Sequence, residues 1–301
     1  MLVALAPVRD QYLLESLARL TKPVEQMFLH HDGYMAAVPS KHDLASFVKA
    51  MQAEAAVATD AVGGHVSLAP LVMRGAAKAV KLFCSKVSRL LASRSVRDRA
   101  NWAKTADQTH NMQLLTLITQ LRTAVVQLPS IVKPGKPAQK GLDPEEVTQC
   151  AQEASTHVDA ALKAIDALAT GQILRPYLSA AAYALERVMG TMHKDSFANL
   201  EGGSAEQTSG ASAYMLDLQR AVGLVQSEHL KTVAALNAPY AQEMLRCLTD
   251  RLVRSFVSHA ALVRPMEEAG KLKMARDMAM LEMCLSGIAP VATLGASYAE
   301  L

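Results

Sequence analysis

The chain has 301 residues, of which 50% are hydrophobic and only 4% are aromatic, and its formal net charge is +3. This apolar content excludes a wholly disordered chain, and so small a net charge does not indicate any particular partner. A chain of this length favours two helical units over one compact core. Ala, Leu, Val and Met replace aromatic residues at the apolar positions, which favours helices that pack closely.

In chain order, apolar residues recur at helical spacing in almost every segment. The spacing predicts helices over residues 1–31, 41–60, 71–91, 111–128, 144–169, 173–192 and 213–236, followed by a helical hairpin within 245–285. No run of alternating apolar and polar residues escapes a helical interpretation, so no strand is predicted. We therefore expect an all-α fold.

The predicted helix 71–91 divides sharply into an apolar and a basic side. Its apolar side carries Met73, Val80, Phe83, Val87, Leu90 and Leu91. Arg74, Lys78, Lys81 and Arg89 fall within a wedge of about 80° on the other side. Two interpretations stay open for these four residues: a docking face for anionic lipid headgroups or an acidic partner, or a solvated helix face. No recognition motif accompanies them, so nucleic-acid binding is not predicted.

A polar, proline-containing segment separates the two halves of the chain. Residues 129–141 have low apolarity and contain Pro134 and Pro137, which is typical of a linker. A new helix start follows, with Asp143 as N-cap and Pro144 at the first helical position. We therefore predict a helical bundle with the basic helix over 1–128, a linker over 129–141, and a second bundle ending in the hairpin over 142–301.

Residue clusters that could carry chemistry are few and weak. His30, His31 and Asp32 have no fourth ligand in helical register, so a polar helix end is the better interpretation. His193 and Asp195 lack a nucleophile motif and fit a polar helix terminus before a flexible loop. We therefore expect no catalytic residue, no cofactor site, no metal site and no small-molecule substrate, and predict that the protein is not an enzyme.

The sequence also lacks features of membrane-spanning and disulfide-bonded proteins. No signal peptide or transmembrane span is predicted, so any membrane association is expected to be peripheral or through partners. The four cysteines have no ligand-like spacing, and reduced thiols of a cytosolic protein are expected at Cys84, Cys150, Cys247 and Cys284.

The hairpin carries the most specific sequence feature. It contains residues 258–266 (SHAALVRPM) and 268–271 (EAGK), and related segments occur at 5–10, 16–20, 162–168, 191–197, 213–219 and 294–298. These segments resemble the subunit 5 family of the conserved oligomeric Golgi complex, and they follow one another along the chain in the same order as in that family. One departure is Ala269, where the family has the first of two glycines. If that position needs a positive φ, Ala would cost about 1 kcal/mol and the turn would be built differently.

The resemblance implies a fold, a function and partners. The implied fold is an elongated rod of stacked helical bundles, and the implied function is that of a non-enzymatic subunit of a multisubunit vesicle tether. Such a tether acts in retrograde intra-Golgi transport, as a peripheral complex on the cytosolic face of the Golgi membrane. The implied partners are the other subunits of the complex, especially subunit 7, and this chain is expected to begin inside a longer protein. The alternative is a generic cytosolic helical scaffold or adaptor, which would differ only in its partners.

Overall fold

The computed structural model describes residues 6–29, 37–58, 67–92, 104–132, 144–198 and 212–289. The α-helices are α1 (Ala6–Met27), α2 (Lys41–Val57), α3 (Leu68–Leu90), α4 (Ala106–Val132), α5 (Pro144–Ala167), α6 (Arg175–Met189), α7 (Ala213–Val225), α8 (Lys231–Ala234), α9 (Pro239–Ala260) and α10 (Glu268–Ser286). No strand occurs within the described ranges. The predicted all-α class is therefore confirmed.

The structure is helical at two places where the predicted helices leave a break, after residue 128 and between residues 169 and 173. Helix α4 continues through Pro129 to Val132, because a proline in the last turn removes only one hydrogen bond. The predicted break at Gly171 is wrong, since Leu168–Leu174 forms a π-helical turn between α5 and α6. A second π-helical turn, Gln226–Leu230, separates α7 from α8.

The helices form two compact units, and the division differs from the predicted boundary. The first unit comprises Met1–Ala92 with Thr109–Ile173, and the second comprises Ser93–Gln108 with Leu174–Leu301. Helix α5 packs along α3 and therefore joins the first unit, although it follows the predicted linker. Of that linker, residues 129–132 are helical and 133–141 lie outside the described residues. The polar segment therefore overlaps the end of α4 but does not separate the two units, because the packing of α5 on α3 places α5 in the first unit.

The first unit is built around α3, which packs on α1, α2 and α5. Phe83 is fully buried at its centre, with its ring edge-on to Phe28 at 5.7 Å and stacked on Phe47 at 6.2 Å between centroids. Five of the six predicted apolar residues are buried, namely Met73, Val80, Phe83, Val87 and Leu90, and Leu91 is half-buried.

Helix α4 is tied to the rest of the first unit by hydrogen bonds at two places. The side chain of Asn111 accepts from the Ala92 backbone N–H at 3.0 Å and donates to the Ala92 carbonyl at 3.1 Å. Further along, the guanidinium of Arg122 donates to the Asp166 carboxylate of α5 at 2.7 Å and 3.3 Å. The two bonds with Asn111 satisfy the backbone of Ala92, which lies beyond the C-terminal end of α3 and has no helical partner there.

A buried carboxylate joins α1 to α2. Glu54 is 7% exposed and accepts hydrogen bonds from Ser16 Oγ at 2.7 Å, Arg19 Nε at 2.5 Å and Tyr12 OH at 3.4 Å. Burial by itself would raise the pKa of Glu54, but the hydrogen bonds from Arg19 and Ser16 and the positive charge of Arg19 outweigh it. The pKa therefore lies below its ordinary value.

In the second unit, α6 packs on α7 and α9, and α7 packs on α10. For the first hairpin helix, helical spacing predicts an apolar face of Leu245, Leu248, Leu252, Phe256 and Val263. This prediction is confirmed, because all five residues are buried.

For the second hairpin helix, helical spacing predicts an apolar face of Leu272, Ala275, Met278, Ala279, Leu281 and Leu285, and for α10 this prediction is partly wrong. Leu272 is 64% exposed, and Ala275 and Ala279 are also exposed, while Leu281 and Leu285 are buried as predicted. The face that α10 buries is formed by Gly270, Met274, Asp277, Leu281 and Leu285. The prediction failed because it excluded an aspartate from the core.

Asp277 is fully buried because its carboxylate is satisfied by hydrogen bonds. It accepts from Ser212 Oγ at 2.5 Å, from the Ser212 backbone N–H at 3.3 Å and from Tyr214 OH at 2.7 Å. Burial, and then the hydrogen bond to Asp277, raise the pKa of Tyr214, so its hydroxyl keeps the proton that it donates. The bonds attach the start of α7 to the middle of α10.

We predict that Phe256→Ala lowers the free energy of unfolding by about 3–5 kcal/mol, because the 1% exposed ring would leave a cavity in the core of the second unit. Urea unfolding followed by circular dichroism measures the change. An unaltered unfolding midpoint would show that the apolar face of α9 is exposed and available to a partner.

We also predict an acid-sensitive contribution from Glu54. Its pKa is lowered in the folded state, so its stabilising contribution is complete above the ordinary value of 4.5 and is lost as the pH falls through the folded-state pKa. Urea unfolding over a pH series should show a smaller loss of stability in acid for Glu54→Gln than for the wild type. Equal losses in the two proteins would contradict the assignment.

Candidate interaction surface

The basic side of α3 is exposed along its whole length. Arg74, Lys78, Lys81 and Arg89, here called the basic stripe, are all exposed, while the opposite side of the helix is buried. Within the part of the chain that the structure describes, none of the four forms an ion pair with an acidic side chain. The stripe spans about 22 Å at the helical rise per residue. The core of α3 therefore does not need these side chains.

Not all basic residues near α3 in the sequence join this surface. Lys86 is half-buried. Lys104 belongs to the second unit, where its Nζ donates to Thr232 Oγ1 at 2.7 Å. Arg94, Arg97 and Arg99 lie outside the described residues. Among the described residues, the basic surface on α3 therefore consists of the four residues of the basic stripe.

A groove runs beside the stripe, between α1 and α3. This α1–α3 groove has a volume of about 400 Å³, and its lining includes Leu13, Leu14, Leu17, Leu71, Arg74 and Lys78. A second groove of about 410 Å³ lies between α3 and α5 and includes Cys84, Ser85, Ser88 and Arg89. Ser88 Oγ in the second groove donates to Gln172 Oε1 at 2.7 Å. The α1–α3 groove is the more apolar of the two, because four leucines line it, whereas polar side chains line much of the second groove.

The hairpin motif is explained by a close backbone contact. A Cβ at Gly270 would overlap the carbonyl oxygen of Phe197, so α10 approaches the backbone of this residue without a side chain between them. The same carbonyl accepts from the Glu267 backbone N–H at 3.3 Å, just before α10 begins. Glycine is needed at 270 for space, since this residue lies within a helix.

Lys273 holds the same segment from one turn further along α10. Its Nζ donates to the Ser196 carbonyl at 3.2 Å, lies 3.5 Å from Asp195 Oδ2, and is 4.8 Å from the ring centroid of Phe197. Residues 191–197 and 258–271, which carry the family resemblance, therefore meet in space. This contact gives the resemblance a structural meaning.

Ala269 does not strain the hairpin. It lies in α10, and Asn237 is the non-glycine residue of the described ranges with a positive φ. The condition under which alanine would have been unfavourable is therefore not met at this position.

The structure does not bring His193 and Asp195 together as a catalytic pair. His193 Nε2 lies 3.0 Å from His259 Nδ1, at the C-terminal end of α9, while the Asp195 carboxylate faces Lys273. His30, His31 and Asp32 lie outside the described residues. Neither cluster thus supplies a described group with acid–base geometry.

The cysteines and other potential ligands show no metal geometry in the described ranges. All four cysteines are free thiols, and burial raises the pKa of Cys84 to about 12. No cluster of three or more His, Cys, Asp or Glu side chains among the described residues could hold a metal ion.

Sequence reasoning missed the two buried carboxylates, Glu54 and Asp277. Each lies on the apolar stripe of its helix, Glu54 in register with Phe47 and Met51, and Asp277 in register with Met274 and Leu281. An acid at such a position was the available signal. Both carboxylates join helices, and neither lines the α1–α3 groove or the groove between α3 and α5.

Fold and surface together define an all-helical protein with an exposed basic stripe and a tightly packed C-terminal hairpin. No described helix combines the length and apolarity needed to cross a bilayer.

Comparison with known proteins confirms the resemblance seen in the sequence. The chain is 26% identical over 299 residues to conserved oligomeric Golgi complex subunit 5 of Mus musculus, which covers 99% of this chain and 33% of the mouse protein. It is 32% identical over 170 residues to the subunit of the same name from Arabidopsis thaliana, covering 48% of this chain and 20% of that protein. The chain thus matches about a third of the length of the mouse relative and about a fifth of the length of the plant relative. No protein-family model and no solved structure matches it.

We predict that Gly270→Ala destabilises the second unit by about 1–3 kcal/mol, because the new Cβ must push the Phe197 carbonyl or α10 aside. The matched control is Gly223→Ala in α7, where a Cβ meets nothing within 4 Å. Alanine there should stabilise the helix by about 0.5–1 kcal/mol. Chemical unfolding of both variants tests the pair, and equal effects would contradict the close contact.

We predict that replacing all four residues of the basic stripe with Gln changes the unfolding free energy by no more than about 0.5 kcal/mol per site, because the side chains are exposed and unpaired in the described part of the chain. If the stripe docks onto an anionic surface, the same variant should bind that surface more weakly, and most clearly at low salt. Co-sedimentation with anionic vesicles at low and moderate salt compares the binding of the wild type with that of the variant. Equal binding would support a solvated face.

Proposed function

We propose that the protein is a non-enzymatic subunit of a multisubunit Golgi vesicle tether acting in retrograde intra-Golgi transport. The observation that carries the proposal is the similarity to subunit 5 of the conserved oligomeric Golgi complex over 99% of this chain. The all-helical fold supports it, because helical bundles offer long faces on which partner helices can pack. The proposed partners are the other subunits of that complex, with subunit 7 as the closest.

The arrangement of the described side chains supports a binding role. The buried carboxylates of Glu54 and Asp277 connect helices to one another, whereas the four cations of the basic stripe are all exposed on one side of α3. A protein that acts by holding partners needs well-packed helices and a distinctive surface, and the described residues provide both. We propose accordingly that the basic stripe is a docking face for an anionic partner surface.

The proposed location is the cytosolic face of the Golgi membrane, with peripheral attachment. Its support is the complex named in the two relatives. Attachment through partners, through the basic stripe or through both fits this location.

The test is affinity purification of the tagged native protein followed by mass spectrometry. Co-purification of the other subunits of the Golgi complex in comparable amounts is the expected result. Recovery of an unrelated helical partner without those subunits would favour the generic scaffold or adaptor instead. Gly270→Ala serves as a control for partner loss that results from unfolding of the second unit.

A further inference from the structure

We propose that the α1–α3 groove is a docking site for an acidic amphipathic helix of a partner protein. The inference adds a surface and a kind of ligand to the proposed tether subunit, and in that sense it rests on the proposed function. The groove, its leucines and its basic edge are all parts of the first unit, so the proposed site lies within that unit.

The floor of the groove is apolar and accessible. Leu13, Leu14 and Leu17 of α1 face Leu71 of α3 across it, and Leu14 is 66% exposed. Gly75 also lines the floor, and its missing side chain leaves space between the two helices. Leucines held in such a groove would lose contact with water when a partner's apolar side chains enter.

The dimensions of the groove favour a helix as its ligand. Its lining runs from Asp10 to Leu17 on α1 and from Leu71 to Lys78 on α3, which is about two turns or 10 Å on each helix. Two turns present side chains at positions i, i+3, i+4 and i+7, the anchor spacing of a helix bound in a groove. A helix seated between α1 and α3 would pack as a third member of a bundle.

The charges around the groove select an acidic partner. Arg74 and Lys78 form its α3 edge, are exposed, and make no ion pair within the described ranges. The acid in the lining, Asp10, accepts from Arg9 Nε and Nη2 at 3.1 Å, so its charge is balanced by its neighbour. The unbalanced charge at the groove is therefore positive, and glutamates flanking a partner's apolar stripe would complement it.

A concave floor favours a protein helix over a membrane. A bilayer surface is flat on this scale, and it could reach Arg74 and Lys78 without filling the space above Leu13 and Leu17. A helix can contact the leucines and the basic edge together. Binding that requires both the leucines and the charges is therefore the signature of the proposed ligand.

The experiment measures binding of a labelled synthetic helix to the purified 301-residue chain by fluorescence anisotropy. The probe is about four turns long, with leucines at i, i+3, i+4 and i+7 and glutamates on both flanks. One matched peptide carries lysines in place of the glutamates, and a second carries glutamines in place of the leucines. We expect the acidic leucine peptide to bind and the two matched peptides to bind much more weakly.

Matched variants of the chain locate the binding site. Leu14→Gln should raise the Kd about tenfold, because an apolar contact is lost. Arg74→Gln with Lys78→Gln should raise it about fivefold at low salt and less at moderate salt. Leu29→Gln is the apolar control, since Leu29 is also 66% exposed but lies beyond the groove, just after α1. Lys22→Gln with Lys49→Gln is the charge control, and both controls should stay within about twofold of the wild type.

Three results would overturn the proposal. The first is equal binding of all three peptides, and the second is equal effects of the groove variants and their controls. The third is binding to vesicles of phosphatidylcholine and phosphatidylserine that the charge variants weaken and Leu14→Gln does not, with no binding of the acidic peptide. Co-purification of the other tether subunits with the wild-type native protein tests the proposed function separately. If the peptide-binding experiment contradicts the groove while the other tether subunits still co-purify, only this inference is refuted and the proposed function stands.

Discussion

Burial of one face of α3 is the constraint on which the first unit depends. Val80, Phe83 and Val87 are fully buried, and α1, α2 and α5 all pack on this helix. Small residues on the same face, Ala76 and Ala79, allow the neighbouring helices to approach closely. Because the apolar face is fixed in this way, the basic stripe must face outward. The candidate interaction surface is thus a consequence of core packing.

The second unit depends more on polar contacts between its helices. Asp277 connects α10 to the start of α7, and the absence of a side chain at Gly270 lets α10 lie directly on the Phe197 carbonyl. A buried carboxylate is unfavourable unless its hydrogen bonds are complete, so these contacts fix one arrangement of the helices. The segments that resemble the Golgi tethering subunit contribute to these contacts. In this unit the resemblance therefore follows packing rather than chemistry.

This distribution of polar groups bears directly on function. The buried acids of the described residues join helices, and the histidine pair His193–His259 joins the end of α9 to the turn after α6. The exposed cations of the basic stripe make no ion pair within the described part of the chain, and they lie on α3 beside a groove lined by leucines. A surface of this kind suits recognition of another protein. The proposal of a helix-binding groove rests on that contrast, whereas the proposal of a tether subunit rests on the similarity to the named relatives.

The sequence by itself determined the all-α class, most helix positions, the buried face of α9, the division of α3 into two sides and the family resemblance. These features follow from local periodicity, which one helix records in its own residues. Tertiary structure decided the rest. It placed α5 in the first unit, rotated the buried face of α10 so that Asp277 is included, and paired His193 with His259. It also formed the α1–α3 groove from helices distant in sequence. Such features depend on which helices meet, and the residues that satisfy a buried acid or line a groove come from different segments of the chain.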